Sequence, residues 1–139
     1  MPKVQVTNAK GLVQSTGSGP ADMRSGLGLG VQSAAADGNN QATATAISAG
    51  AGGLVLVSGA DSTTKGVRLP LLSSVPTGTV FLVMNTVAGQ TLEVYPGSGD
   101  KFLPAVDDAP ITVAGSSMLI CVAADGDQWV GAEPAAVVA

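Results

Sequence analysis

The sequence predicts an all-β protein: an antiparallel β-sandwich or barrel-like domain behind an extended N-terminal arm. Three observations lead there. After residue 40, short apolar or alternating runs recur at roughly ten-residue spacing, separated by clusters of Gly, Pro, Asp and Ser. No stretch carries the 3.6-residue apolar period of a helix. Glycine makes up 19 of the 139 residues while aromatics make up 3%, so the core must be assembled from small aliphatic side chains.

The elements follow in chain order. Residues 1–38 read as the arm, in which Leu12, Val13, Leu27, Leu29 and Val31 are scattered among Gly, Ser and Ala without sustained period. Such a segment is too polar to pack a core of its own, yet its spaced apolar anchors suit ordering along a partner surface at an entropic cost. Val4 and Val6 alternate with polar residues, which fits the addition of a strand to a neighbour's sheet edge. The candidate partner-binding residues are therefore Val4, Val6, Leu12, Val13, Leu27, Leu29 and Val31.

The β domain is assigned to residues 39–139. Its strands are expected in QATATAIS (41–48), LVLVS (54–58), GVRLP (66–70), TVFLVMN (79–85), TLEVY (91–95), PITVA (110–114), SMLICVA (117–123) and QWVGA (128–132). Turn chemistry separates them in GAGG, ADSTTKG, VPTG, VAGQ, PGSGD, AGSS and DGD. The tightest links, Ala88-Gly89, Gly115-Ser116 and Asp125-Gly126, suit antiparallel hairpins. In TLEVYPGSGD, Leu92 and Val94 share one face and Glu93 and Tyr95 the other. Pro96 ends the ladder for want of an N–H, Tyr95 is expected to keep its hydroxyl at the surface, and Asp100 is expected to cap the turn.

LVLV (54–57), VFLVM (80–84) and MLICV (118–122) are apolar at consecutive positions, whereas a strand with one wet face should alternate. Both faces of these strands need cover. The arm, a long connection or another copy of the chain would supply it, and homo-oligomerisation is the most economical of the three.

Composition argues against catalysis, and the chain reads as a non-enzyme without cofactor or metal. There is no histidine, which removes the commonest general base and zinc ligand. Asp100, Asp107, Asp108, Asp125 and Asp127 all fall in turns, where Asp serves backbone hydrogen bonds. Asp125-Gly126-Asp127 lacks the further ligands of a calcium loop. Gly26 to Gly30 and Gly97 to Lys101 lack the spacing and the helix of nucleotide-binding loops. Cys121, the single cysteine, reads as a buried thiol, and Trp129 as a core or interface plug. A net charge of −4 offers nothing to nucleic-acid phosphates. The N-terminus lacks a secretory apolar stretch and no run of about 18 apolar residues occurs, so neither a membrane nor export is expected, and synthesis is placed in the host cytoplasm.

From GVRLPLLSSVPTGTVFLVMNTVAGQTLEVYPGSGDKF to ITVAGSSMLICVAADGDQWV, the chain resembles a small β-domain recurring in virion proteins of tailed bacteriophages. The matching positions are Val67, Leu69, Pro70, Val83, Asn85, Leu92, Val94, Tyr95, Pro96, Gly99, Asp100, Gly126 and Trp129, and the likeness covers about residues 41 to 131. The resemblance implies a trimeric structural module of capsid-decoration proteins, head fibres or tail-associated proteins. The arm has the length and composition of a strap across neighbouring subunits, and no coiled-coil heptad, β-helical repeat or shaft is evident in the sequence. The expectation is therefore a capsid-decorating cement on the virion surface, its partner the major capsid protein and its arm residues the capsid contacts. The alternative is a tail or head-fibre adhesin whose loops, near Tyr95, Asp100, Asp107, Asp108 and Trp129, bind a host glycan or receptor.

Overall fold

The computed structural model of the chain describes residues 3–7, 11–16 and 29–133. The all-β expectation holds. A single 3-10 turn, Leu72–Ser74, is the one helical segment among the described residues. The arrangement of the strands is that of a β-solenoid, and this corrects the antiparallel sandwich or barrel.

The solenoid is visible in the order of pairing. Strands β3 (Val31–Ala35), β5 (Leu54–Ser58) and β7 (Val80–Asn85) lie side by side in parallel. On the opposite side, β4 (Thr45–Ala46), β6 (Gly66–Arg68) and β8 (Leu92–Tyr95) do the same. The chain thus alternates between two sheets through three coils. Val31 pairs with Leu54 and Leu54 with Leu82, while Thr45 pairs with Val67 and Val67 with Val94.

Four further strands close the last coil: β9 (Lys101–Phe102), β10 (Ile111–Val113), β11 (Met118–Asp125) and β12 (Gln128–Ala132). β10 runs antiparallel to β8, β11 antiparallel to β7, and β12 antiparallel to β11, with β9 parallel to β12. The result is a six-stranded sheet of order β3-β5-β7-β11-β12-β9 facing a four-stranded sheet of order β10-β8-β6-β4.

Two sequence expectations fail for the same reason. A roughly ten-residue spacing measures the distance to the next strand along the chain, and here the next strand lies in the opposite sheet. Ala88-Gly89 and Gly115-Ser116 are therefore in arches between the sheets, and of the three tight links only Asp125-Gly126 closes an antiparallel hairpin. The β-helical repeat judged absent from the sequence is present. Its coils differ in length, which hides the period.

The core fills the space between the sheets with small aliphatic side chains. Val55, Val57, Phe81, Val83, Leu119 and Cys121 come from one sheet and Val67, Leu92, Val94 and Val113 from the other, all buried. Trp129 and Phe102 plug the end closed by β9 and β12. The Trp129 ring meets Phe81 edge-on at 6.1 Å between centroids, a favoured aromatic geometry.

The N-terminal residues divide differently from the expected boundary at 38. β1 (Lys3–Thr7) and β2 (Gly11–Thr16) form an antiparallel two-stranded sheet of their own. β3 belongs to the solenoid, although residues 31–35 were assigned to the arm. Its small side chains carry little apolar signal, but its backbone pairs along its length with β5. Gln32 also donates to the carbonyls of Ser48 and Gly52 and accepts from the Ser48 N–H, tying the first coil's loop to its strand.

Candidate assembly surface

Six of the seven residues expected to bind a partner lie among the described residues, and they fall in separate segments, β1, β2 and residues 29–31. Val4 and Val6 lie in β1, and Leu12 and Val13 in β2, with Val6 registered against Leu12 and Val13 against Gln5. This segment doubles back, which corrects the continuous extended strap. Leu27 lies outside the described residues. Leu29 packs beside Gly53 and lines a shallow cavity of about 380 Å³ with Gly52, Val80 and Phe81. Val31 starts β3 and is 57% exposed.

Val31 marks the corner of a larger apolar surface, the outward face of the six-stranded sheet. Strand register sets its rows. One row runs Val31, Leu54, Leu82, Ile120, Ala132 across five strands. The next row toward the strand ends holds Leu56, Met84 and Met118, and on the other side lie Val80, Val122 and Val130. These side chains alternate with the fully buried ones because successive residues of a strand point to opposite faces. Leu56 and Val130 are exposed and most of the others half-buried. No Asp, Glu, Lys or Arg stands in any of these rows. The consecutive apolar runs in the sequence were the signal for this face.

The loops of the alternative reading are built for structure. Asp100 is buried, and its Oδ2 accepts the Leu72 N–H at 2.9 Å, so it holds the 3-10 turn in place of capping its own loop. Burial pushes its carboxyl up from the ordinary range, against the lowering effect of the Leu72 N–H. Gly97 is required by this approach, since a Cβ there would come within 2.6 Å of Asp100 Oδ2 and 2.9 Å of Leu71 Cα. Asp108 Oδ1, not Asp100, accepts the Gly99 N–H of the turn. Lys101 donates to Asp127 at 2.9 Å and lies 3.8 Å from Asp107. The Lys101 hydrogen bond holds the Asp127 carboxyl below its usual range.

Tyr95 is buried against Gly66, where a Cβ would fall 2.7 Å from the tyrosine ring. Its hydroxyl is pushed up by burial and then by Glu93. Trp129 is fully buried and so presents no platform to a glycan. Its Nε1 makes no hydrogen bond. The loop that does project carries Leu103 and Val106, both exposed.

Chemically these groups are committed to the fold. Among the described residues no three His, Cys, Asp or Glu side chains group to hold a metal, and no helix is long and apolar enough to cross a membrane. Burial pushes the Cys121 thiol far up, which keeps it from acting as a thiolate. A cavity of about 240 Å³ beside Arg68, bounded by Ile47, Pro70, Leu71 and Ser98, had no counterpart in the sequence reading. Its lining is drawn from three segments, at the ends of β4, β6 and β8, that only the coil brings together. Comparison of the chain with family models, with curated proteins and with solved structures gives no match.

Proposed function

We propose that this chain is a structural subunit of a phage virion that decorates the head and cements it. One observation carries the reading: β1 and β2 form a sheet of their own, and no other strand among the described residues joins either outer edge. A two-stranded sheet is marginal in water by itself, so its stability has to come from a surface that it meets. Free strand edges pair with a neighbour's sheet, and the partner in this reading is the major capsid protein.

The mechanism is stabilisation by binding. A protein that engages only the assembled lattice raises its stability by mass action. A homo-oligomer, a trimer by the resemblance, would carry several arms on one body and act at high effective concentration.

The solenoid removes one argument for the head over the tail, since a β-helical coil is here after all. The adhesin reading keeps one supporting observation, the projecting loop with Leu103 and Val106 exposed, and loses Trp129 and Tyr95 to the core.

Deletion of residues 2–28 tests the leading reading. The cut stops short of Leu29 because β3 is part of the solenoid. The expected product keeps a β-type far-UV circular dichroism spectrum, reduced only by the loss of β1 and β2, and no longer binds shells that lack the protein. Normal decoration by the truncated chain would sink the arm. Localisation of the chain to the tail in virion micrographs would favour the adhesin.

A further inference from the structure

We infer that the outward face of the six-stranded sheet is the surface on which a second copy of this chain packs, the same face meeting on both copies. The inference deepens the proposed homo-oligomer by naming its contact, and it stands whether or not the chain belongs to a virion.

Two features identify the occupant. The first is extent: the middle row crosses five strands, and Val31, Leu56 and Val130 on this face are 57%, 36% and 42% exposed, a contiguous apolar patch of the kind that marks an interaction site. Apposing two such faces covers both patches at once, as the apolar core of a specific interface does. Stacked sheets pack face to face about 10 Å apart in general, and the same packing would seat one such face on the other.

The second feature is charge. Each copy carries a net charge of −4, yet none of the rows holds a charged residue. A charged partner would find no counterpart there. A second copy finds an identical uncharged surface of Val, Leu, Ile and Met. A two-fold contact requires a self-complementary patch of this kind.

The full-length chain is measured by sedimentation velocity and light scattering across protein concentration. Its mass is expected to be a multiple of 13.5 kDa, held or strengthened as salt is raised, because the contact has no ion pair to screen and the copies repel elsewhere. Leu82→Lys, at the centre of the face, should weaken association by about 30-fold or more, the effect of losing one hot-spot residue.

Val130→Lys provides a variant that keeps its fold, because that side chain is already 42% exposed, and it should act in the same direction. Thr112→Lys, on the outward face of the opposite sheet, should leave the mass unchanged. A wild-type chain that is monomeric at high concentration overturns the inference, as does an oligomer that survives both face variants. If deletion of residues 2–28 converts a monomer into an oligomer, the chain's own N-terminal segment is the occupant and a second copy is not.

Discussion

Asn85 ends β7, is fully buried, and joins the two arches that the sequence reading took for hairpins. Its Nδ2 donates to the Gln90 carbonyl at 2.8 Å and to those of Val113 and Ala114 at 3.3 and 3.2 Å, while Oδ1 accepts the Val87 N–H at 3.1 Å. The arches, residues 86–91 and 114–117, touch so closely that a Cβ at Gly115 would lie 2.7 Å from the Val87 carbonyl oxygen. Replacing Asn85 with Leu keeps the branching of the side chain and removes every one of these bonds. The Val87 N–H and the Gln90 carbonyl, both part-buried, are then left without these partners, each at about 1.5 kcal/mol. The expected loss is about 3 kcal/mol, or roughly 10 °C in melting temperature for a chain of this size.

Asn85→Asp keeps the acceptor for Val87 and turns the donor into an oxygen facing three carbonyls. Its carboxyl should stay protonated in the fold, so that variant is closest to wild type in acid and loses stability as pH rises through its raised folded value. Urea unfolding followed by far-UV circular dichroism and by Trp129 fluorescence, at one protein concentration, reads both effects. An Asn85→Leu variant within 1 kcal/mol of wild type would refute the idea that this side chain locks the arches.

Two further outcomes follow from the core. The raised carboxyl of Asp100 means that its contribution to stability is fully present below the ordinary value of 3.8 and declines as pH rises through the folded value. Asp100→Asn, which keeps an acceptor for the Leu72 N–H, should flatten that slope when melting temperatures are compared from pH 3 to pH 7. An unchanged slope would assign the pH dependence elsewhere. Trp129→Ala empties the plug against Phe81 and should cost about 4 kcal/mol in urea unfolding, in the range for removal of a fully buried aromatic ring. A cost under 1 kcal/mol would mean that Trp129 does not hold the closing strands.

Strand positions were legible where apolar runs sit between turn clusters. QWVGA is β12 residue for residue, and TVFLVMN, TLEVY and SMLICVA each contain their strand or most of it. Partners were not legible, because pairing in a solenoid joins residues a full coil apart, as Leu54 joins Leu82, and no local signal encodes it. β3 was missed because VQSAA gives a strand former little to show apart from its backbone. Asp100 was read as a cap for its own turn, the local default for Asp, when its partner is Leu72, 28 residues away. Of the expected contact residues, Val31 and Leu29 turned out to belong to the solenoid. The outward face was legible as consecutive apolar residues, and what the fold added is that those residues from five strands lie in common rows.

The arm and the face make a joint demand that can be separated by experiment. If copies meet through the face, each assembly carries more than one β1–β2 sheet, and shell binding gains from tethering by a factor of about 10² to 10⁴ over a single arm. Val130→Lys leaves the arm untouched while reducing the assembly to single chains. Its affinity for shells should therefore fall by that factor, while its rate of association per arm stays near wild type, because tethering acts on escape and leaves the first encounter unchanged. Quantifying shell-bound protein over a concentration series, beside the 2–28 deletion, distinguishes the cases. Loss with both variants means that the arms bind and the face multiplies them. Loss with the deletion alone means that one arm is enough and the face serves only the stability of the oligomer. Loss with Val130→Lys alone would place the shell contact on the face itself, and the arm would no longer explain attachment.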